Sequence, residues 1–164
     1  PTQITFRNNL PANHILPVDT SIMGAGIDPN TGLMATQNRT SVHLHGGLVP
    51  WISDGGPFAF WDAQGNKGPT CISNAVLRPL QAVPVNEVEY YYPNDQSARL
   101  AWYHDHSMGI TRLNAYAGIA SAYSISYNGL LTPSPQTMTC AIALASVSAL
   151  AVALLVGGRG VHEQ

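Results

Sequence analysis

The sequence predicts an all-β domain, a sandwich or Greek-key barrel, and three observations carry that expectation. Only 10% of the 164 residues are charged, whereas 12 prolines, 15 glycines and clusters of Tyr, Val, Ile and Thr suit short strands joined by turns. Several short stretches alternate apolar and polar side chains, the period of a half-buried strand. Turn residues punctuate those stretches at close intervals, and no internal repeat is visible.

Taken in order, Gln3 to Asn9 alternates and stops at Leu10-Pro11, which predicts a strand ending in a turn. Asn13 to Gln37, with Asp28-Pro29-Asn30-Thr31-Gly32 inside it, predicts a long loop. Thr40 to Leu44 is the next expected strand, ended by Gly46-Gly47, and Asp54-Gly55-Gly56-Pro57 opens a loop running to Pro69 with Phe58, Phe60 and Trp61 as its anchors. Asn86 to Tyr92 predicts a strand halted by Pro93-Asn94-Asp95; Arg99 to His104 and Ala117 to Tyr127 are two more.

Length is that of one domain able to bury its own core. A net charge of −2 with one lysine, Lys67, leaves no basic footprint, so nucleic acid is not an expected partner. Cys71 and Cys140 show neither zinc-finger nor CxxC spacing and could pair or stay reduced. Asn38-Arg39-Thr40 is a formal glycosylation sequon, a short pattern that also recurs by chance. No charged-then-apolar leader follows Pro1, and a secreted location is the expectation.

The tail differs in composition. Leu113 to Gly158 contains no charged residue, and 138–158 is Ala, Leu, Val, Ser and Ile in the main, long enough to span a bilayer but with an alanine- and serine-rich makeup. A membrane anchor, a packed helix and a segment foreign to the domain are all open readings. A glycolipid-anchor signal fits less well, since Arg159 to Gln164 follows the apolar run. The expected division is 1–127 as the domain and 128–164 as an atypical tail.

Four of the six histidines form two doublets, His43-Leu44-His45-Gly46 and Trp102-Tyr103-His104-Asp105-His106. At i, i+2 on a strand, both imidazoles of a doublet face the same way, which builds half of a polynuclear metal site. Imidazole suits copper, zinc, iron and nickel alike, so the residues name a transition-metal site without choosing the metal. Asp105, between two candidate ligands, should point to the opposite face and act as a supporting residue. Trp102 and Tyr103 should pack around the site.

Ser41-Val42-His43-Leu44-His45-Gly46-Gly47, Ser53-Asp54-Gly55, Tyr91-Tyr92-Pro93-Asn94-Asp95-Gln96 and Leu100-Ala101-Trp102-Tyr103-His104-Asp105-His106, in this order, closely resemble the first cupredoxin domain of multicopper oxidases of the spore-coat laccase and bilirubin oxidase kind. The resemblance covers residues 1 to 127, including Gly109 to Gly118. It implies a cupredoxin-like Greek-key fold and copper as the metal. It further implies that His43 binds type 2 copper, that His45, His104 and His106 bind type 3 copper of a trinuclear O2-reducing cluster, and that Asp54 assists proton delivery there. O2 and an aromatic or metal-ion electron donor would be the substrates of the complete enzyme.

The family also draws cluster histidines and a type 1 copper, held by a His-Cys-His motif, from a last cupredoxin domain. This sequence has no His-Cys-His, and His14 and His162 lie in no matching motif. Gln3 to Leu10 matches a strand that normally follows earlier ones. The expectation is therefore a partial first domain, inactive alone, whose partners are the missing cupredoxin domains or partner subunits. A copper-binding module without catalysis, tethered to a membrane through 138–158 or not, is the alternative. Amidohydrolases need later Lys, His and Asp ligands for which there is no room, and cupins need a Glu soon after the doublet, which follows neither His45 nor His106.

Overall fold

The computed structural model describes residues 1–28, 31–72 and 83–126, together with the backbone of 157–159. Among the described residues six strands form two three-stranded antiparallel sheets: β1 (Thr2–Arg7), β2 (Val42–His45), β3 (Glu87–Tyr92), β4 (Arg99–Asp105) and β5 (Ala120–Ile125), which fall on the alternating segments, and β6 (Gly157–Arg159), in the tail where no strand was expected. One sheet has the order β3-β1-β6 and the other β2-β4-β5, so neither is built of chain neighbours alone. The architecture is all-β and cupredoxin-like.

Strand alternation builds the core. Ile4 and Phe6 of β1 and Val88, Tyr90 and Tyr92 of β3 point inward to meet Val42 and Leu44 of β2, Ala101 of β4 and Tyr123 and Ile125 of β5, with Trp61 joining from the loop. Each such large apolar side chain contributes about 1.5–3 kcal/mol by leaving water. The opposite face of β1 and β3 is polar but still covered. Arg7 lies across from Glu87 and donates from Nε at 2.6 Å, while Glu89, facing Thr5, accepts from Gln3 Nε2 at 3.1 Å.

Several boundaries differ from the sequence reading; β1 ends at Arg7 rather than Asn9, and β4 runs on to Asp105. Thr40 is not part of β2; it forms an isolated antiparallel bridge with Trp61, exchanging backbone bonds of 2.9 Å in both directions. A short helix, α1 (Thr111–Tyr116), precedes β5, which begins at Ala120 rather than Ala117. With only six residues, α1 offers too little periodicity to register as helical in the sequence.

The long 13–37 excursion is fastened from beneath. The buried Arg39 guanidinium donates to the carbonyls of Thr36, Gly24 (2.7 Å) and Met108 (2.8 Å), tying that loop to the turn after β4. Asn38 is only 2% exposed and its amide donates to Gln64 Oε1 at 3.0 Å, so the sequon is a packing element of the folded domain. Among the described residues no helix is long and apolar enough to cross a membrane. Residues 138–156 of the apolar run, Cys140 and His162 lie outside the described residues; Gly157 and Gly158 belong to β6 and pair with Thr5 and Ile4.

Candidate metal centre

Strand register assembles the site. β2 and β4 run antiparallel with His43 opposite His104 and His45 opposite Trp102, so three imidazoles and an indole share the outward face of the sheet. Val42, Leu44, Ala101 and Asp105 occupy the inward face and are buried. A one-residue slip in this pairing would send every histidine into the core, and the apolar partner face holds the register against it.

His106 lies one residue past the end of β4, yet its ring joins the others. Ring centroids are 5.2 Å from His43 to His106, 5.5 Å from His43 to His104 and 5.6 Å from His104 to His106. His43, His45 and His104 each offer a nitrogen such that all three atoms lie within 4.8 Å of one another. The two doublets, 59 residues apart at His45 and His104, are thus brought to one place.

Hydrogen bonds fix which nitrogens face the centre. His43 Nδ1 sits 2.7 Å from the carbonyl oxygen of Asp54, and His104 Nδ1 sits 2.6 Å from the carbonyl oxygen of Asp105. A carbonyl only accepts, so both Nδ1 atoms carry the hydrogen, and each neutral ring leaves a lone pair on Nε2. Burial pushes the His104 pKa below its ordinary value, and the rings of His43, His106 and His45 push the same way. His104 Nε2 lies 3.3 Å from His45 Nδ1. His106 Nδ1 is buried and without a hydrogen bond among the described residues. Converging lone pairs on neutral rings, with a buried nitrogen in want of a partner, are the donor set a transition-metal cation satisfies.

The surroundings serve the same end. Trp102 stacks on His45, with centroids 5.3 Å apart and planes 26° from parallel, and lies 4.4 Å from His104, covering one flank while remaining 46% exposed. Tyr103 turns inward and packs against the core. The Asp54 carboxylate, half exposed, lies 3.4 Å from His43 Nδ1, so this residue tethers the ring chiefly through its backbone. That tether needs Gly55: its φ is +67°, and a Cβ there would stand 1.8 Å from the Val42 carbonyl oxygen. The preceding 3-10 turn (Trp51–Ser53) is held by Ser53 Oγ, which accepts from the Tyr91 amide at 2.9 Å.

Sequence reasoning placed Asp105 on the opposite face without its partners. The carboxylate is fully buried and accepts from Thr40 Oγ1 (2.8 Å), Ser41 N (2.9 Å), Ser107 N (2.9 Å) and Ser107 Oγ (3.1 Å). The alternation that faces the ligands outward was the available signal for its burial.

The fold and the site together define a cupredoxin-like domain with a histidine cluster suited to a transition metal. No family model matches the chain. Among curated proteins it is 40% identical over 126 residues to a laccase of Bacillus stratosphericus, covering 76% of this chain and 21% of that protein. It is 36% identical over 122 residues to a laccase of Bacillus subtilis, covering 74% and 20%. It is 41% identical over 126 residues to multicopper oxidase LPR1 homolog 1 of Oryza sativa subsp. japonica, covering 76% and 18%. Over these residues the chain is homologous to multicopper oxidases, and it spans about a fifth of the length of these relatives.

Proposed function

We propose that residues 1–127 are the first cupredoxin domain of a laccase-like multicopper oxidase, supplying part of a trinuclear copper cluster. In this reading His43 is the type 2 ligand and His45, His104 and His106 are type 3 ligands. The observation that carries it is that His43, His45 and His104 each bring a ring nitrogen within 4.8 Å of the other two, while backbone carbonyls hold Nδ1 of His43 and of His104 and leave their Nε2 atoms as lone-pair donors. The names of the relatives support copper as the metal.

In the complete protein, copper held in part by these histidines would supply the redox chemistry by which O2, four protons and four electrons from an aromatic or metal-ion donor become water. This chain's residues have narrower tasks. The outward histidines hold ligand atoms on a rigid two-strand frame, and the carbonyls of Asp54 and Asp105 set the ring tautomers. Trp102 shields the His45 and His104 rings from water. In this reading the half-exposed Asp54 carboxylate, 3.4 Å from His43 Nδ1, assists proton delivery at the edge of the site. The remaining ligands and the electron-entry copper would come from other cupredoxin domains.

Copper stoichiometry by elemental analysis, with electron paramagnetic resonance after Cu(II) addition, tests this reading. Imidazole nitrogen hyperfine structure is expected, with copper affinity falling at least tenfold in His43→Ala and in His104→Ala. Copper content untouched by both substitutions would refute the ligand assignment.

A further inference from the structure

Three of the four clustered imidazoles are oriented by contacts of their own rings. His43 and His104 donate to carbonyls, and His45 lies against the Trp102 indole. The His106 ring packs against the rings of His43 and His104, and its buried Nδ1 makes no hydrogen bond among the described residues. Its place is therefore set by its main chain, which lies past the end of β4, where one cross-strand backbone bond, from the His106 amide to the Ser41 carbonyl, is joined by side-chain bonds.

What holds it is the residue before. Asp105 pairs with Val42 in the ladder, and its amide donates to the Ile119 carbonyl at 2.9 Å. Besides a side-chain hydrogen bond with Asn114, its carboxylate accepts from four donors. Two of those donors, Thr40 and Ser41, lead into β2; the other two are the amide and hydroxyl of Ser107, the residue just after His106. Between these fixed points the His106 amide donates to the Ser41 carbonyl at 2.7 Å. One carboxylate thus fastens the start of the first ligand strand to the turn that follows the second.

We propose that Asp105 is a positioning residue whose carboxylate fixes the backbone of His106 and so aims its imidazole at the centre. The copper arm of the test rests on the ligand reading above; the positioning itself is a property of the chain without metal. Asp105→Asn is the informative substitution. It retains an oxygen for Thr40 and Ser41 but sets an NH2 group against the Ser107 amide, donor against donor. Thr40→Val is the control, since it removes one donor to the same carboxylate and leaves the Ser107 contacts intact.

In the metal-free full chain, long-range proton–nitrogen NMR of the imidazoles should show the His106 ring signals shifted or broadened in Asp105→Asn, with those of His43 and His45 in place. Thr40→Val should lower thermal stability and leave the His106 signals unmoved. Cu(II) affinity, by competition with a chelator, should fall about 10- to 100-fold in Asp105→Asn, as loss of an outer partner of a ligand does, and most of that loss should vanish in a His106→Ala background. Unchanged His106 signals in Asp105→Asn, or equal disturbance of all four rings by both variants, would overturn the proposal. If the parent chain binds no copper through imidazole but His106 still moves in Asp105→Asn, the ligand reading fails and the positioning role stands.

Discussion

The two histidine doublets share one spacing and are held by different means. In the first, both histidines lie within β2, so strand alternation faces them outward, and a separate loop supplies the carbonyl of Asp54 that turns the His43 ring. In the second, the strand ends between the two histidines, and buried side-chain bonds beneath the turn replace the missing ladder. The i, i+2 pattern therefore specifies a shared face only as far as the strand runs. Beyond it, direction comes from whatever grips the backbone.

Substitutions can separate the two supports. The largest effect is expected for Gly55→Ala, where positive φ combines with overlap on the Val42 carbonyl. A loss above about 4 kcal/mol in chemical denaturation should follow, through displacement of the loop that orients His43. Normal stability would show that the loop yields easily and that the first doublet depends little on it.

Asn114→Ala probes the ground under the second doublet. Its amide donates to the Arg39 carbonyl at 3.0 Å, and its Oδ1 lies 3.1 Å from His14 Nε2. Removing it should cost about 1–3 kcal/mol in thermal or urea unfolding, because a buried carbonyl loses its donor. Trp102→Ala bears on both doublets, since the indole touches a ring from each. Being half exposed, it should change stability by less than about 1 kcal/mol while weakening Cu(II) binding several-fold in calorimetric titration. An unchanged affinity would make the indole a bystander.

Gln96→Ala should have the smallest effect. This half-buried side chain donates to the Gly46 carbonyl at 3.1 Å and accepts from the Leu48 amide at 2.6 Å, steadying the turn after His45. A loss of about 0.5 kcal/mol is expected, with faster amide exchange at Leu48 as the sharper readout.

Much of this was legible in the sequence because it is periodic. Ile4 and Phe6, Val88 and Tyr90, and Val42 and Leu44 alternate, and the same alternation puts His43, His45 and His104 outward and Asp105 inward. The grips on the histidines were not legible. The bond from His43 to the Asp54 backbone depends on a loop path that Gly55 permits, and a residue name says nothing of its own carbonyl. Thr40 and Ser41 sit 64 or more residues from Asp105, and no local pattern links them. Helix α1 was missed because it is only about a turn and a half, fastened at its middle by a tertiary contact, the Asn114–Arg39 bond.

The long sequence separation between paired strands governs how this domain comes together in time. β1 pairs with β3 across about 80 residues, and the ligand-bearing β2 and β4 meet across about 60. Such non-local pairing makes for slow folding, since chain entropy is lost before the contacts that offset it are made. A nascent or unfolded chain presents its histidines only as separate neighbouring pairs, and the four-ring cluster exists only after β2 and β4 have closed. A cation held by rings from both strands would fasten that late closure, slowing unfolding in proportion to its residence and making the lifetime of the folded domain depend on the supply of metal.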